Sequence, residues 1–383
     1  MAESKPYTVR WGILATGGIA KTFTKDLLVD PSTRDVLDVR HTVVAAASST
    51  SKDRAEAFLK ECNVPSGATA YGSYAELVAD PSVDIIYVAT PHSHHYQNTM
   101  LCLKAGKNVL CEKAFTVNAA QAKLLVEEAK KRRLFLMEAV WTRYFPISVE
   151  LREMVKQGKI GTLQRVFADL SIGEGEKIAE SFKPENRMVN LDLAGGALLD
   201  LGIYSITWVF QFLYHLQPAG SRRLPSVASS ITKYPVTGAD EMTSMIFTFP
   251  SDPPTHGIAT TALRPAHDPD KRGTAGPAIR IQGTRGEIQV FGPAYRPTKY
   301  RLVFFPGHGE SPVDVEKPIP GGHGMMWEAD ECARCLRDGK LESEGLGWEE
   351  SVVIMEVMDE VRRQGGLVYP ERIESTEYPL EGF

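Results

Sequence analysis

A lysine at the carboxyl end of an apolar strand, and a tyrosine one helical turn after an aspartate, are the residues of this sequence best suited to chemistry. The lysine is Lys113, in Val109-Leu110-Cys111-Glu112-Lys113-Ala114-Phe115. Open α/β sheets bind ligands in the crevice outside the carboxyl ends of their strands, so a lysine there says more than one on a helix face. A solvated pair with Glu112 is its plainer alternative. The tyrosine is Tyr204, in Gly195-Gly196-Ala197-Leu198-Leu199-Asp200-Leu201-Gly202-Ile203-Tyr204. Asp200 and Tyr204 are four apart and share one helix face. Gly202 weakens a helix relative to alanine, which points to a close approach to the backbone. A phenol of ordinary pKa, about 10, is a poor base at neutral pH, but an adjacent ammonium favours the phenolate. Lys113 and Tyr204 together would make a proton-transfer pair; a tyrosine packed under a sheet is the alternative.

A dinucleotide site is expected beside them. After the first strand comes Ala15-Thr16-Gly17-Gly18-Ile19-Ala20 and then a helix, the position of the Rossmann fingerprint, with alanine for its first and third glycines. Gly17 is the residue that must let the backbone approach a pyrophosphate, and the helix start offers N–H groups and a positive dipole end. The second strand ends at Ala47 without the Asp or Glu that would take the ribose hydroxyls of NAD. Ser48, Ser49, Thr50, Lys52 and Arg54 follow instead, hydroxyls and cations suited to the 2′-phosphate of NADP. A capped helix start, Ser51 capping Lys52 onward, is compatible with that role.

The elements that must position these groups fall into two patterns. Strands at Val9–Leu14, Val43–Ala47, Ile85–Ala89, Asn108–Cys111 and Phe135–Ala139 alternate with helices at Ile19–Leu28, Lys52–Glu61, from Pro91 to Leu103 and at Ala119–Lys131, the last capped by Asn118. That is a parallel α/β sheet. Beyond a helix at Ser148–Gln157 comes an apolar run, Val166–Ile172, and a Gly-Gly-led helix from Ala197 to about Leu216. Strand runs at Val227–Tyr234, Met242–Phe249, Gly257–Leu263, Ala278–Gln282, Glu287–Phe291 and Tyr300–Phe305 follow, and helices at Met326–Arg337 and Glu349–Arg363 close the chain. The fold class is therefore α/β: a Rossmann domain over 1–145, then an α+β domain over 146–383 with an open, mainly antiparallel sheet. Alternating side chains in Ala278–Gln282, Glu287–Phe291 and Tyr300–Phe305 should leave apolar groups uncovered, so a homodimer paired through that sheet face is expected.

Composition narrows the function classes. The chain has 383 residues, 43% apolar, with net charge −5, so no basic field draws nucleic acid or an anionic membrane. No apolar run suggests a membrane span, and the start, MAESKPYTVRWGIL, does not read as a secretory leader. Five cysteines at irregular spacing argue against a disulfide framework, and a cytoplasmic protein is expected. Cys332 and Cys335 form the one CxxC, read as helix packing. Pro91-His92-Ser93-His94-His95 invites a metal, but histidines at one turn cannot all face one ion and no further ligand joins them at metal spacing, so none is expected. His323, in Gly321-Gly322-His323-Gly324, has no assigned role.

The stretches AxGxxA, Tyr87-Val-Ala-Thr-Pro-His-Ser-His-His95, CEKAF and GGALLDLGIY, in this order, resemble the glucose–fructose oxidoreductase (Gfo/Idh/MocA) family. The likeness extends through Leu134–Pro146 and Trp327–Arg337, and is greatest to the branch of dimeric dihydrodiol dehydrogenases and NADP-dependent D-xylose 1-dehydrogenases. It implies that Lys113 fills the lysine position of the family's EKP motif, with Glu112 beside it at the cofactor, and that Tyr204 fills the position where most relatives carry histidine. It further implies Asp200 as acidic partner, Trp141 and Arg143 near a sugar, and Thr90, Pro91, His92 and His95 along the nicotinamide. Ala15 and Ala114 depart from the family pattern without removing a reacting group. The implied activity is NADP-dependent oxidation of an aldopyranose, D-xylose foremost, at C1 to the lactone. A trans-dihydrodiol dehydrogenase, an aldose–aldose oxidoreductase with retained cofactor, and a non-enzymatic NADP-sensing regulator are the alternatives.

Overall fold

The computed structural model describes residues 5–218, 220–308 and 311–383. Residues 1–4, part of the stretch read as leaderless, lie outside them. Two compact units emerge: Met1–Tyr144 with Ile319–Val352 and Glu374–Phe383, and Phe145–Pro318 with Val353–Ile373.

In the first unit, β1 (Tyr7–Leu14), β2 (Val39–Ala47), β3 (Thr69–Tyr71), β4 (Ile85–Val88), β5 (Asn108–Glu112) and β6 (Leu136–Ala139) form one sheet in the order β3-β2-β1-β4-β5-β6. Every pairing is parallel. This is the doubly wound order of a dinucleotide-binding sheet, whose switch point lies between β1 and β4. Helices α1 (Gly18–Leu27), α2 (Lys52–Glu61), α3 (Tyr74–Ala79), α4 (His95–Lys104) and α5 (Ala119–Arg132) are its crossovers. Ser51 caps α2 through Arg54 N–H and Asn118 caps α5 through Gln121 N–H, as their types predict. The short β3 and α3 had no periodic signal in the sequence.

The same unit takes in sequence from far down the chain. Met326–Arg337, α9 of the full order, packs on α1, β1 and β2. Its Asp330 carboxylate receives Arg34 Nε and Nη2, both at 2.8 Å, and His41 Nε2 at 2.9 Å. Trp11 Nε1 donates to His41 Nδ1 at 3.1 Å, which leaves the ring hydrogen on Nε2, facing Asp330. Asp26 of α1 accepts the N–H groups of His323, Gly324 and Met325 at 2.7–2.8 Å and so caps the start of α9. The Gly321–Gly324 stretch is thus a helix entry, and Gly322, at φ +62, leaves no room for a side chain beside Asp26. The segment Glu374–Phe383 crosses α4 and α5: Tyr96 Oη donates to Thr376 O, Gln121 Nε2 to Ser375 O and Asn118 Nδ2 to Glu374 O, at 2.7–3.0 Å.

The second unit holds α6 (Pro146–Lys156), α7 (Ile178–Ser181), α8 (Ile203–Leu213) and an eight-stranded sheet. Its strands are β7 (Leu163–Ser171), β8 (Ser226–Lys233), β9 (Asp240–Phe249), β10 (Thr255–Ala262), β11 (Ile279–Gly283), β12 (Gly286–Phe291), β13 (Lys299–Phe304) and β14 (Val313–Glu316), in the order β14-β13-β12-β11-β7-β10-β9-β8. Only β7 and β10 pair in parallel, so the open sheet is mainly antiparallel, as expected. Helix α8 packs on β7 and β10 with every residue buried, the mark of a core helix. It belongs to Leu191–Leu213, among the described residues the one stretch long and apolar enough to cross a membrane by composition, yet 89% of its most apolar window is buried. The fourteen strands are followed by α9, by α10 (Trp348–Gly365) and by α11 (Glu371–Glu374).

On β11–β13, Ile279, Ile281, Ile288, Val290, Tyr300 and Leu302 are buried on one face of the sheet. The alternate positions mix polar and apolar side chains: Glu287 binds Arg280, Gln282 and Gln289, Arg301 binds Asp314, and Phe291 and Val303 are half-buried. Phe305, just after β13, and Val313 on β14 are exposed, as are Met242 and Ile246 on β9.

Candidate active site

In the first unit, strand register gathers the candidate residues. Leu14 lies opposite both Ala47 and Val88, Val88 opposite Cys111, and Glu112 opposite Ala139. The residues that follow these partners, Ala15, Ser48, Thr90, Lys113 and Trp141, are therefore gathered along one edge of the sheet. Burial by β-branched and aromatic side chains holds the strands in that register, because a one-residue slip would turn every core side chain outward.

Ala15 has φ +86, a conformation that favours glycine, so the first fingerprint position keeps its glycine-like geometry with an alanine in it. Gly17 and Gly18 are exposed, and a Cβ built on either would meet nothing within 4 Å. Helix α1 starts at Gly18 with no side-chain cap and no acidic residue in its first turn. Open backbone at an uncapped helix start suits a pyrophosphate. At the end of β2, Ser48 is buried and its hydroxyl lies 3.0 Å from that of Thr50. Ser49, Thr50, Lys52 and Arg54 are exposed on the same loop and helix start. Tyr74, which the sequence did not single out, faces this segment: the Ser49 hydroxyl and the Arg54 charge act on its phenol, whose pKa burial raises.

His95 is fully buried between two loops, with Nδ1 2.9 Å from Ala114 O and Nε2 2.9 Å from Thr90 O. Burial pushes its pKa down to about 4, so the ring is neutral at pH 7 and donates to one carbonyl at a time. The Lys113–Ala114 peptide is cis. Lys113 itself is half-buried; its N–H donates to Glu112 Oε2 at 3.2 Å, while Glu112 Oε1 accepts the Tyr87 hydroxyl. Trp141 is buried and stacks on His323, ring centroids 5.0 Å apart. Arg143 is wholly buried and committed inward: it holds Glu350 at 2.9 and 3.2 Å and Gly345 O at 3.0 and 2.7 Å. Its sequence gave no sign of a partner 207 residues away. Among the described residues no three His, Cys, Asp or Glu side chains converge on a metal site, and all five cysteines are free and buried.

The remaining candidate residues lie in the other unit. Leu198–Gly202 forms a π turn that leads into α8, where a continuous α-helix was expected, and α8 ends at Leu213 rather than near Leu216. Such turns commonly mark functional sites. Gly202 meets Thr261 of β10, 3.3 Å from where a Cβ would be, which is the close approach its presence implied. Asp200 and Tyr204 are both buried, at 7% and 6% exposure. Asp200 Oδ2 receives Arg187 Nη1 at 3.2 Å, and the Tyr204 ring lies 5.9 Å from that of Tyr295. Asp240, missed in the sequence, caps the π turn: Oδ2 accepts Leu198 N–H at 2.6 Å and the Thr243 hydroxyl at 3.1 Å. Burial pushes its pKa up to about 6.

Residues 9–140 match the oxidoreductase family with NAD-binding Rossmann fold (GFO/IDH/MocA), and residues 148–289 match the C-terminal domain of that family. The chain is 59% identical to a D-xylose 1-dehydrogenase (NADP(+)) of Hypocrea jecorina, over 99% of this chain and 97% of that one. It is 36% identical to a trans-1,2-dihydrobenzene-1,2-diol dehydrogenase of Macaca fuscata fuscata, over 95% and 98%. Among solved structures it is similar to a 3-ketoreductase from Actinomadura kijaniata in complex with NADP, with TM-score 0.72, 22% identity and coverage of 94% and 98%, a likeness of fold. A Rossmann sheet with its open glycine turn, a mainly antiparallel second sheet and these full-length matches together establish that the chain belongs to the GFO/IDH/MocA oxidoreductase family.

Proposed function

We propose that this chain is an NADP-dependent sugar 1-dehydrogenase that oxidises an aldopyranose, D-xylose foremost, to the lactone. The observation that carries this reading is the 59% identity, over nearly both full lengths, to the D-xylose 1-dehydrogenase (NADP(+)). Ala15, Thr16, Gly17, Gly18 and Ile19 hold the pyrophosphate. Ser48, Ser49, Thr50, Lys52 and Arg54 take the 2′-phosphate. Thr90, Pro91, His92, His95 and Glu112 shape the nicotinamide side, His95 by bracing backbone. When bound, the cofactor supplies the hydride acceptor. Tyr204 accepts the proton of the anomeric hydroxyl as the C1–H bond breaks. Lys113 provides the positive charge that favours the Tyr204 phenolate. Asp200, steadied by Arg187, accepts a sugar hydroxyl. Trp141 offers an apolar wall to the ring, and Arg143 acts from behind it as a positioning residue.

In this reading the Rossmann domain binds NADP and the remainder of the chain provides sugar and dimer contacts. Exposed Phe305 and Val313 at the β13–β14 end of the second sheet, with Met242 and Ile246 on β9, support a two-fold homodimer paired through the open face of that sheet, and sedimentation as a monomer at micromolar concentration would overturn it. Five free cysteines favour a reducing compartment, the cytoplasm. The deciding experiment follows absorbance at 340 nm with NADP⁺ or NAD⁺ against D-xylose, D-glucose and a trans-dihydrodiol. D-Xylose with NADP⁺ is expected to give the highest kcat/KM. A higher value for the dihydrodiol would replace the sugar reading.

A further inference from the structure

Lys113 sits on a turn whose three consecutive residues are each gripped by a buried side chain. Glu112 Oε2 accepts Lys113 N–H at 3.2 Å, His95 meets Ala114 O at 2.9 Å, and Glu138 Oε1 accepts Phe115 N–H at 3.0 Å. Glu138 comes from β6, opposite Cys111 of β5, so the sheet register brings it to this turn. It is 2% exposed, and its Oε2 has no hydrogen-bond partner among the described residues. A glutamine would offer Phe115 the same acceptor without the desolvation of a charge. A carboxyl kept in so dry a place, half satisfied, on the backbone of the candidate reacting lysine, calls for a role.

We propose that Glu138 is a positioning residue, which fixes the direction of the Lys113 side chain by holding the Phe115 N–H on the far side of the turn. The proposal rests on Lys113 being at the reacting centre. Burial pushes the Glu138 carboxyl up to about 7; the Ser351 hydroxyl, the Phe115 N–H and the Arg143 charge oppose that rise, and Glu350 adds to it. Cys111 of β5, whose thiol interacts with both Glu138 and Glu112, also faces it. An ionised acceptor makes a shorter, stronger bond to N–H than a protonated one. The grip on the turn therefore tightens as pH rises through about 7.

The test compares wild type, Glu138→Gln and Glu138→Ala at pH 6 and pH 8, without and with NADP⁺. Hydrogen exchange at the Phe115 amide reads the bond. The rate at which an N-hydroxysuccinimide ester acylates Lys113, followed by mass spectrometry, reads the side chain. In Glu138→Ala, exchange at Phe115 should quicken by about tenfold or more at pH 8, a loss of roughly one weak hydrogen bond. Lys113 acylation should change in the same variant, and kcat should fall while the KM for NADP⁺ holds. Glu138→Gln should return all three to the values the wild type has at pH 6 and abolish the difference between pH 6 and pH 8 beyond intrinsic exchange and lysine ionisation. If Glu138→Ala leaves Phe115 exchange and Lys113 acylation as in wild type, the proposal fails. Should that variant not fold, Glu138→Gln decides: a pH dependence identical to wild type overturns the proposal, and its loss supports it. A wild type that does not turn over D-xylose refutes the sugar reading alone, because exchange and acylation do not depend on the substrate.

Discussion

The Asp240 carboxylate fills the space that a side chain at Gly196 would need. Gly196 has φ +132, and a Cβ there would fall on Asp240 Oδ1, while Oδ2 of the same group caps the π turn at Leu198. Gly196 and Asp240 are thus one device that fixes the start of the segment bearing Asp200 and Tyr204. Gly196→Ala meets both a steric overlap and an unfavourable φ, together worth roughly 2–5 kcal/mol of stability. Urea unfolding of the variant should show this; a loss below about 0.5 kcal/mol, the range of an ordinary surface substitution, would show that the turn yields freely.

Asp240 also makes stability depend on pH. Its folded pKa, about 6, lies above the 3.8 of a free carboxyl, chiefly through burial. The sign follows: its contribution is fully present below about 3.8 and is lost as pH rises through about 6. Asp240→Asn keeps an acceptor for Leu198 and has no charge to bury, so it should gain on wild type by a few kcal/mol between pH 4 and pH 8. Melting temperatures measured across that range test this. Parallel curves for the two proteins would mean that Asp240 ionises without penalty.

Tyr204→Phe removes only the phenolic oxygen. Folding and NADP binding should survive, while kcat falls by about 10²–10⁴, the usual loss of a general base. Lys113→Met should fall at least as far, and the double variant should be little worse than either if the two act as a unit. The rise of kcat/KM with pH should vanish in Tyr204→Phe. More than a tenth of wild-type activity remaining would exclude Tyr204 as the base, and buried His95, with both nitrogens against carbonyls, would not be the replacement.

Cofactor choice should follow the end of β2. NADP⁺ is expected over NAD⁺ by at least about tenfold in kcat/KM, or roughly 1.4 kcal/mol. Arg54→Ala should narrow that ratio by raising the KM for NADP⁺ and leaving the KM for NAD⁺ unchanged. A ratio unmoved by this change would remove Arg54 from the phosphate site.

Breaking the buried Arg143–Glu350 pair from one side leaves a charge in a dry interior. Arg143→Met should destabilise the protein by about 3–5 kcal/mol, and Arg143→Met with Glu350→Gln by much less. Thermal unfolding of both distinguishes this bracing role from direct sugar binding. Direct binding would instead appear as a raised KM for sugar with an unchanged melting temperature.

What was legible in the sequence was local. Apolar runs marked β1, β4 and β5, and because parallel strands share a direction, their carboxyl ends had to bring Ala15, Thr90 and Lys113 to one edge. Ser51 and Asn118 announced their helices through side chains that bond three residues onward. What was not legible depends on residues distant in sequence. Nothing near Arg143 announces Glu350, and nothing near Asp26 announces the entry of α9, 297 residues on. The π turn was read as ordinary helix because its cause is packing: Asp240 caps its start and Thr261 lies against Gly202. Gly202 was a visible hint of a close approach that did not name the neighbour. Alternation in β11–β13 fixes the period of those strands, not which of their faces is covered.

Glu374–Phe383 is laid across α4 and α5 by hydrogen bonds to residues as much as 283 positions earlier. A ribosome adding about 5–20 residues per second needs on the order of 15–60 s to cover that interval. Throughout it, the Asn118 and Gln121 side-chain amides and the Tyr96 hydroxyl lack the carbonyls they will finally bind. The nascent Rossmann sheet must therefore wait, incomplete on one flank, until residues 374–383 have been made. This is the period in which a chaperone would have most to hold.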